Sequence, residues 1–214
     1  MSPSIVIIDY GAGNLRSIRR ALEFAGATVA VVSDPDKVRS ADGIVFPGVG
    51  AAGAAMDRLH KLGLVEAIEA VVQENRPFLG ICLGMQLLFG AQEEGNTHGL
   101  GLLEGRVRSL DAGLKIPQIG WNRVQWVQPG AGYGSGEVAD FYFVHSYVVE
   151  PENPADVIAV TRYGSVFPSI VRHGEIWGTQ FHPEKSGPAG LRLVSGWVAT
   201  VNAAMAGTLE RVPA

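Results

Sequence analysis

Residues 4–14 read SIVIIDYGAGN, and the reading of this stretch decides the fold. Ile5, Val6, Ile7 and Ile8 form an unbroken β-branched run that stops at glycines. A strand with no polar alternation is buried on both faces, as strands of a parallel sheet are. Working outward, NLRSIRRALEFAG sets Leu15, Ile18 and Leu22 at helical spacing, with Arg16, Arg19 and Arg20 off that stripe and Gly26 as the stop. ATVAVV then reads as a second strand ended by SDPD, and GIVFPGVG as a third. Residues 54–75 form two helical pieces broken near Gly63, followed by the short strand PFLGI. This alternation predicts an α/β fold, a mainly parallel central sheet with helices on both faces.

Past Leu103 the pattern changes. GRVRSL, RVQWV, DFYFVHSYVV, DVIAVTRY, SIVRHG and EIWGTQF are short strand candidates separated by turns, which predicts antiparallel pairing and a smaller second sheet in the C-terminal half. PGAGYGSG at 129–136 is expected to be a mobile surface loop. A last helix is expected over 190–205. Neither a repeat nor a linker divides the chain, so residues 1–214 are expected to form one domain.

Composition narrows the function classes. With 214 residues, 47% hydrophobic and 18% charged, the chain is a globular protein able to bury a sizeable core. A formal net charge of -4 with scattered lysines and arginines carries no nucleic-acid footprint. The single cysteine cannot form an internal disulfide, and the N-terminus has no signal-peptide pattern. No apolar run approaches the ~18 residues that would span a bilayer. A soluble cytoplasmic protein is expected.

The lone cysteine, Cys82, sits in LGICLGMQ at 79–86. Strand, nucleophile between two glycines and helix make the pattern of a nucleophile elbow, and a following helix would aim backbone N–H groups at the sulfur. Alone, the pattern fits a buried structural cysteine equally well. About a hundred residues on, GTQFHPEKS places His182 before a proline, where the chain is biased to extended geometry. Glu184 then falls on the same side as His182 and can orient the imidazole towards a nucleophile. FPGVG at 46–50 is a turn whose glycines let backbone N–H groups approach an oxyanion. The Leu83 N–H is one candidate donor, and an N–H within Gly48, Val49 and Gly50 the second.

In this order and spacing, GICLGMQ, PGVG and GTQFHPEKS resemble the class I glutamine amidotransferases, with a Cys82, His182, Glu184 triad. DYGAGNLRS, PGVGAAGAAM, IGWN, FVHSY and HPEKS are similar to the glutaminase subunits of imidazole glycerol phosphate synthases, over nearly the whole chain. Glutaminases serving vitamin B6 synthesis share the triad but usually differ at DYGAGN and PGVG. A non-catalytic module on the same fold would have no reason to keep all three triad residues. The resemblance implies a flavodoxin-like fold, glutamine as substrate, no cofactor and no metal. It implies as partner a (β/α)8-barrel cyclase subunit, with neither nucleic acid nor membrane. By motif position it implies that Gln86 and Glu94 face the α-amino group of glutamine, and Ser146 and Tyr147 its α-carboxylate. Trp121, Tyr142 and Lys185 are implied at the cyclase interface, with Asn14 beside them. His60, His98 and His173 are expected at the surface. The valine between glycines suggests a peptide that flips when the cyclase binds its effector.

Overall fold

The computed structural model describes residues 2–111, 113 and 115–207. Strands and helices alternate through β1 (Ser4–Ile8), α1 (Leu15–Phe24), β2 (Thr28–Val32), α2 (Pro35–Arg39), β3 (Gly43–Gly48), α3 (Ala52–Lys61), α4 (Leu64–Gln73) and β4 (Phe78–Cys82). A single helical turn, α5 (Leu83–Gln86), leads into β5 (Phe89–Gln92), β6 (Thr97–His98) and β7 (Leu103–Ser109). The rest comprises β8 (Gln118–Trp126), β9 (Val138–His145), β10 (Tyr147–Pro151), β11 (Val157–Tyr163), β12 (Ser165–His173), β13 (Ile176–Thr179) and α6 (Gly187–Met205).

The large sheet has the order β2-β1-β3-β4-β13-β12-β11-β8-β9. Its first five strands pair in parallel, in the 2-1-3-4-5 order of flavodoxin-like folds. The remaining four extend it antiparallel. The opening stretch shows why helices cover both faces. Ile5 and Ile7 join the core that holds Ile18 and Leu22 of α1 and Trp197 and Val201 of α6. Val6 and Ile8 join the opposite core, with Met56 and Leu59 of α3 and Ile68 of α4. Alternate side chains of one strand thus anchor two separate layers.

Two features depart from the expected pattern. The smaller sheet, β10-β7-β5-β6, begins at Phe89, earlier than predicted, and its β5–β7 pair is parallel. It begins there because the elbow helix ends after one turn. Gln92 donates its amide to the carbonyls of Gln86 and Phe89 at 2.9 and 2.7 Å, satisfying groups that a longer helix would have satisfied itself. Leu87, Leu88 and Phe89 follow, all fully buried, so the chain has passed into the core.

Residues 129–136 are packed against the protein through Ala131 and Tyr133. Tyr133 stacks on Trp126 with ring centroids 3.9 Å apart, donates its hydroxyl to the Ala189 carbonyl and lies under the Arg192 guanidinium. Arg192 in turn forks onto Glu137 at 2.7 and 3.0 Å. The glycines admit the close approach of α6, where Gly196 meets the Ala131 backbone. Among the described residues, no helix is long and apolar enough to cross a membrane.

Candidate active site

Cys82 ends β4 and caps α5 with φ 55° and ψ -112°, a conformation that non-glycine residues rarely adopt. Neighbouring glycines make this turn possible. A Cβ at Gly80 would lie 2.7 Å from the Gly84 carbonyl, and one at Gly84 would run into the Phe46 carbonyl of β3. These glycines give the turn its steric room. A helix of one turn has no developed macrodipole, so the charged neighbour of the sulfur must come from elsewhere.

That neighbour is His182. Its backbone is extended, as expected before proline, but Pro183–Lys185 then turns as a 3-10 helix. Glu184 therefore meets the imidazole across a turn and not along a strand. Nδ1 of His182 lies 3.0 Å from Glu184 Oε1, and both side chains are only 4% exposed. Nε2 is buried and has no hydrogen-bond partner among the described residues. Burial pulls the His182 pKa down, but Cys82 and the Glu184 carboxylate outweigh it and raise it to about 9. The Cys82 sulfur acts on the ring without completing a hydrogen bond to Nε2. Sγ instead lies 3.7 Å from the Val144 carbonyl and 3.8 Å from the Gln180 amide.

A cleft of about 250 Å³ opens over Cys82. Val49, Gly50, Leu83, Gln86, Glu94, Ser146 and Tyr147 are among the residues that line it. Gly48 pairs in register with Cys82 and is buried beneath the turn. Val49 is 43% exposed, and Gly50 has φ 95° with open space around it. Tyr10 is buried under this turn, and burial raises its pKa. The Val49 backbone opposes that rise in part, although the Tyr10 hydroxyl completes no hydrogen bond among the described residues.

Glu94 is not a freely solvated acid. It accepts the Ala52 N–H at 2.7 Å and so caps α3, whose N-cap residue Ala51 has no polar side chain. Gln86 is buried, and its amide nitrogen bridges the Tyr147 carbonyl (2.9 Å) and Gln180 Oε1 (3.1 Å). Two residues of the site escaped the reading of the sequence, although both lie in motifs it singled out. Gln180 of GTQF links Gln86 to Cys82. His145 of FVHSY is held between the Tyr147 carbonyl and Gln118 Oε1 at 2.9 and 3.0 Å. Burial lowers its pKa to about 4, with the nearby His182 adding to the effect. Their burial is a product of strand pairing, which no local signal announces.

On the outer edge, Trp121 of β8 and Tyr142 of β9 are register partners with rings 6.3 Å apart, and Lys185 Nζ lies 5.7 Å from the Tyr142 ring. Trp121 is 58% exposed, so it is no core residue. Asn14 is exposed at the start of α1. His60, His98 and His173 are exposed, as expected.

Comparison with known proteins shows the family. The family model for glutamine amidotransferase class-I matches residues 6–198. An imidazole glycerol phosphate synthase subunit HisH from Symbiobacterium thermophilum is 50% identical, over 90% of this chain and 92% of the relative. Another HisH, from Synechococcus elongatus, is 45% identical over 97% and 98%. Among solved structures, a putative GMP synthase protein from Thermoplasma acidophilum superposes with TM-score 0.73 at 20% identity, covering 98% of this chain and 99% of that one. PurLQS from Thermotoga maritima superposes at 0.75 and 18% identity, covering 94% and 99%. These two share the fold. The chain belongs to the class-I glutamine amidotransferase family, in the branch of the imidazole glycerol phosphate synthase subunit HisH.

Proposed function

We propose that this chain hydrolyses glutamine to glutamate and ammonia with Cys82, His182 and Glu184, and delivers the ammonia to a (β/α)8-barrel cyclase subunit. The cyclase uses it to make imidazole glycerol phosphate and an aminoimidazole carboxamide ribotide in histidine biosynthesis. The observation that carries this reading is the imidazole held by Glu184 beside Cys82, with its second nitrogen buried and unpartnered. A free thiol that must stay reduced suits a cytoplasmic enzyme.

The chemistry follows from the geometry. With its pKa raised to about 9, His182 holds at neutral pH the proton that the Cys82 thiol gives up. The thiolate attacks the side-chain amide carbon of glutamine. His182 protonates the departing nitrogen, because ammonia leaves as a neutral amine, and a thioester remains. The now neutral imidazole takes a proton from water, which attacks the thioester and releases glutamate and Cys82. Glu184 fixes the tautomer that keeps Nε2 facing the reaction.

Gln86, Glu94, Ser146 and Tyr147 hold the amino-acid end of glutamine, a reading supported by the fact that all four line the cleft over Cys82. The Leu83 N–H is one oxyanion donor. The Val49 N–H becomes the second when its peptide turns towards the cleft, a turn that Gly50, free of steric neighbours, permits. Asn14, Trp121, Tyr142 and Lys185 form the cyclase face, supported by the exposure of Asn14 and Trp121 and by the packing of Tyr142 against Trp121 and Lys185.

The test is a glutaminase assay of native and Cys82→Ala protein, each with and without the cyclase and its nucleotide substrate. Native protein should be stimulated by the complex and Cys82→Ala silent throughout. Full partner-stimulated turnover by Cys82→Ala would remove the central claim. Turnover indifferent to the cyclase and its nucleotide would remove the peptide flip.

A further inference from the structure

Ser186 occupies the N-cap position of α6 yet makes no capping bond. A serine there ordinarily accepts an N–H from the second or third helical residue. Pro188, at the second position, has no N–H to give, and the Ser186 side chain takes no bond from the third either. The hydroxyl is engaged elsewhere. It donates to the His182 carbonyl at 2.6 Å and accepts the Tyr142 N–H at 3.0 Å. The His182 N–H donates to the Tyr142 carbonyl at 2.9 Å. Three hydrogen bonds thus close a ring through Tyr142, His182 and Ser186.

The two ends of that ring differ in kind. His182 carries the imidazole beside Cys82. Tyr142 lies on the exposed edge, its side chain between the Trp121 ring and the Lys185 ammonium. Ser186 itself is 1% exposed, so water does not compete for its hydroxyl. Without that hydroxyl, a single bond would join His182 to β9, and the partly buried Tyr142 N–H would lose its acceptor.

We propose that Ser186 is a positioning residue, whose bridging hydroxyl locks the His182 backbone to Tyr142 and so ties the place of the imidazole to the edge strand. The inference rests on the reading of His182 as the proton-transfer group. A strand that shifts at Tyr142 carries the His182 backbone with it, because both of its bonds to the ring are to Tyr142 and Ser186. Small displacements matter: about 1 Å of misplacement can cost roughly a hundredfold in rate.

The experiment compares the native full chain with Ser186→Ala and Ser186→Cys, and with Cys82→Ala as reference. Two quantities are read: steady-state glutamine hydrolysis in complex with the cyclase, and the pH dependence of Cys82 alkylation by iodoacetamide in the chain alone. Ser186→Ala should lower kcat about tenfold per folded molecule, leave KM for glutamine within about twofold, and displace the alkylation profile from the native one. Ser186→Cys keeps a weak donor and acceptor and should fall in between; it decides the matter if the alanine variant does not fold. A lowered melting temperature with native kcat and a native alkylation profile would make Ser186 a structural residue only, and the proposal would fall. Activity in Cys82→Ala would instead overturn the reading beneath it, so the two failures are distinguishable.

Discussion

His182 stands between a thiol and a carboxylate, and in the proposed reaction its proton is the one that moves. With a pKa raised from 6.5 to about 9, it keeps that proton through the neutral range. Glutaminase activity of the complex should hold to about pH 9 and fall above it as the leaving nitrogen loses its donor. Glu184→Gln should shift that falling limb to lower pH and reduce kcat by about a hundredfold, measured as a pH–rate profile. The same shift has a stability consequence. A raised histidine pKa stabilises the fold fully below 6.5, and the gain fades as pH climbs through about 9. His145 has the opposite sign. Its folded pKa is lowered to about 4, so the unfolded chain binds the proton more readily between there and 6.5. Stability should therefore drop as pH falls from 6.5 towards 4, by roughly 3 kcal/mol at most. Urea melts at pH 5 and pH 7 check this, with His145→Gln expected to flatten the difference.

At the scale of elements, the elbow depends on three backbones packed without side chains between them. Gly84→Ala places a methyl against the Phe46 carbonyl and should cost at least about 3 kcal/mol or prevent folding. Gly50→Ala is the control, because its Cβ would meet nothing and only the φ of 95° opposes it. Denaturation midpoints should separate the two variants widely. Much of this element was legible, since strand, cysteine between glycines and a following turn are local patterns. The brevity of α5 was not. It depends on Gln92 reaching back to the Gln86 and Phe89 carbonyls, a fold-back invisible to hydrophobic periodicity. Residues 129–136 misled for a related reason. Glycines signal freedom in an isolated segment, whereas here they admit α6, and Tyr133 locks the segment onto Trp126.

For the whole molecule, the cleft and the exposed edge meet along β8, β9 and the turn that follows His182. Trp121→Ala should leave the melting temperature near native, since the ring is largely exposed, but weaken cyclase binding by about 2 kcal/mol or more. Calorimetric titration with the cyclase measures it, and unchanged affinity would remove Trp121 from the interface. The β-α alternation, the elbow, the HPE segment and the glycine turn could all be read along the chain, because each is a local pattern of residue types with its own steric or chemical demand. Assembly brought the rest. Parallel pairing of β3 with β4 sets Gly48 beside Cys82, and β13 returns from the far end of the chain to place Gln180 and His182 next to β4. Burial by those neighbours raises one histidine and lowers another, and it turns Ser186 from a helix cap into a bridge. Such effects depend on which groups, distant in sequence, exclude water from one another, and residue order along one strand carries no record of that.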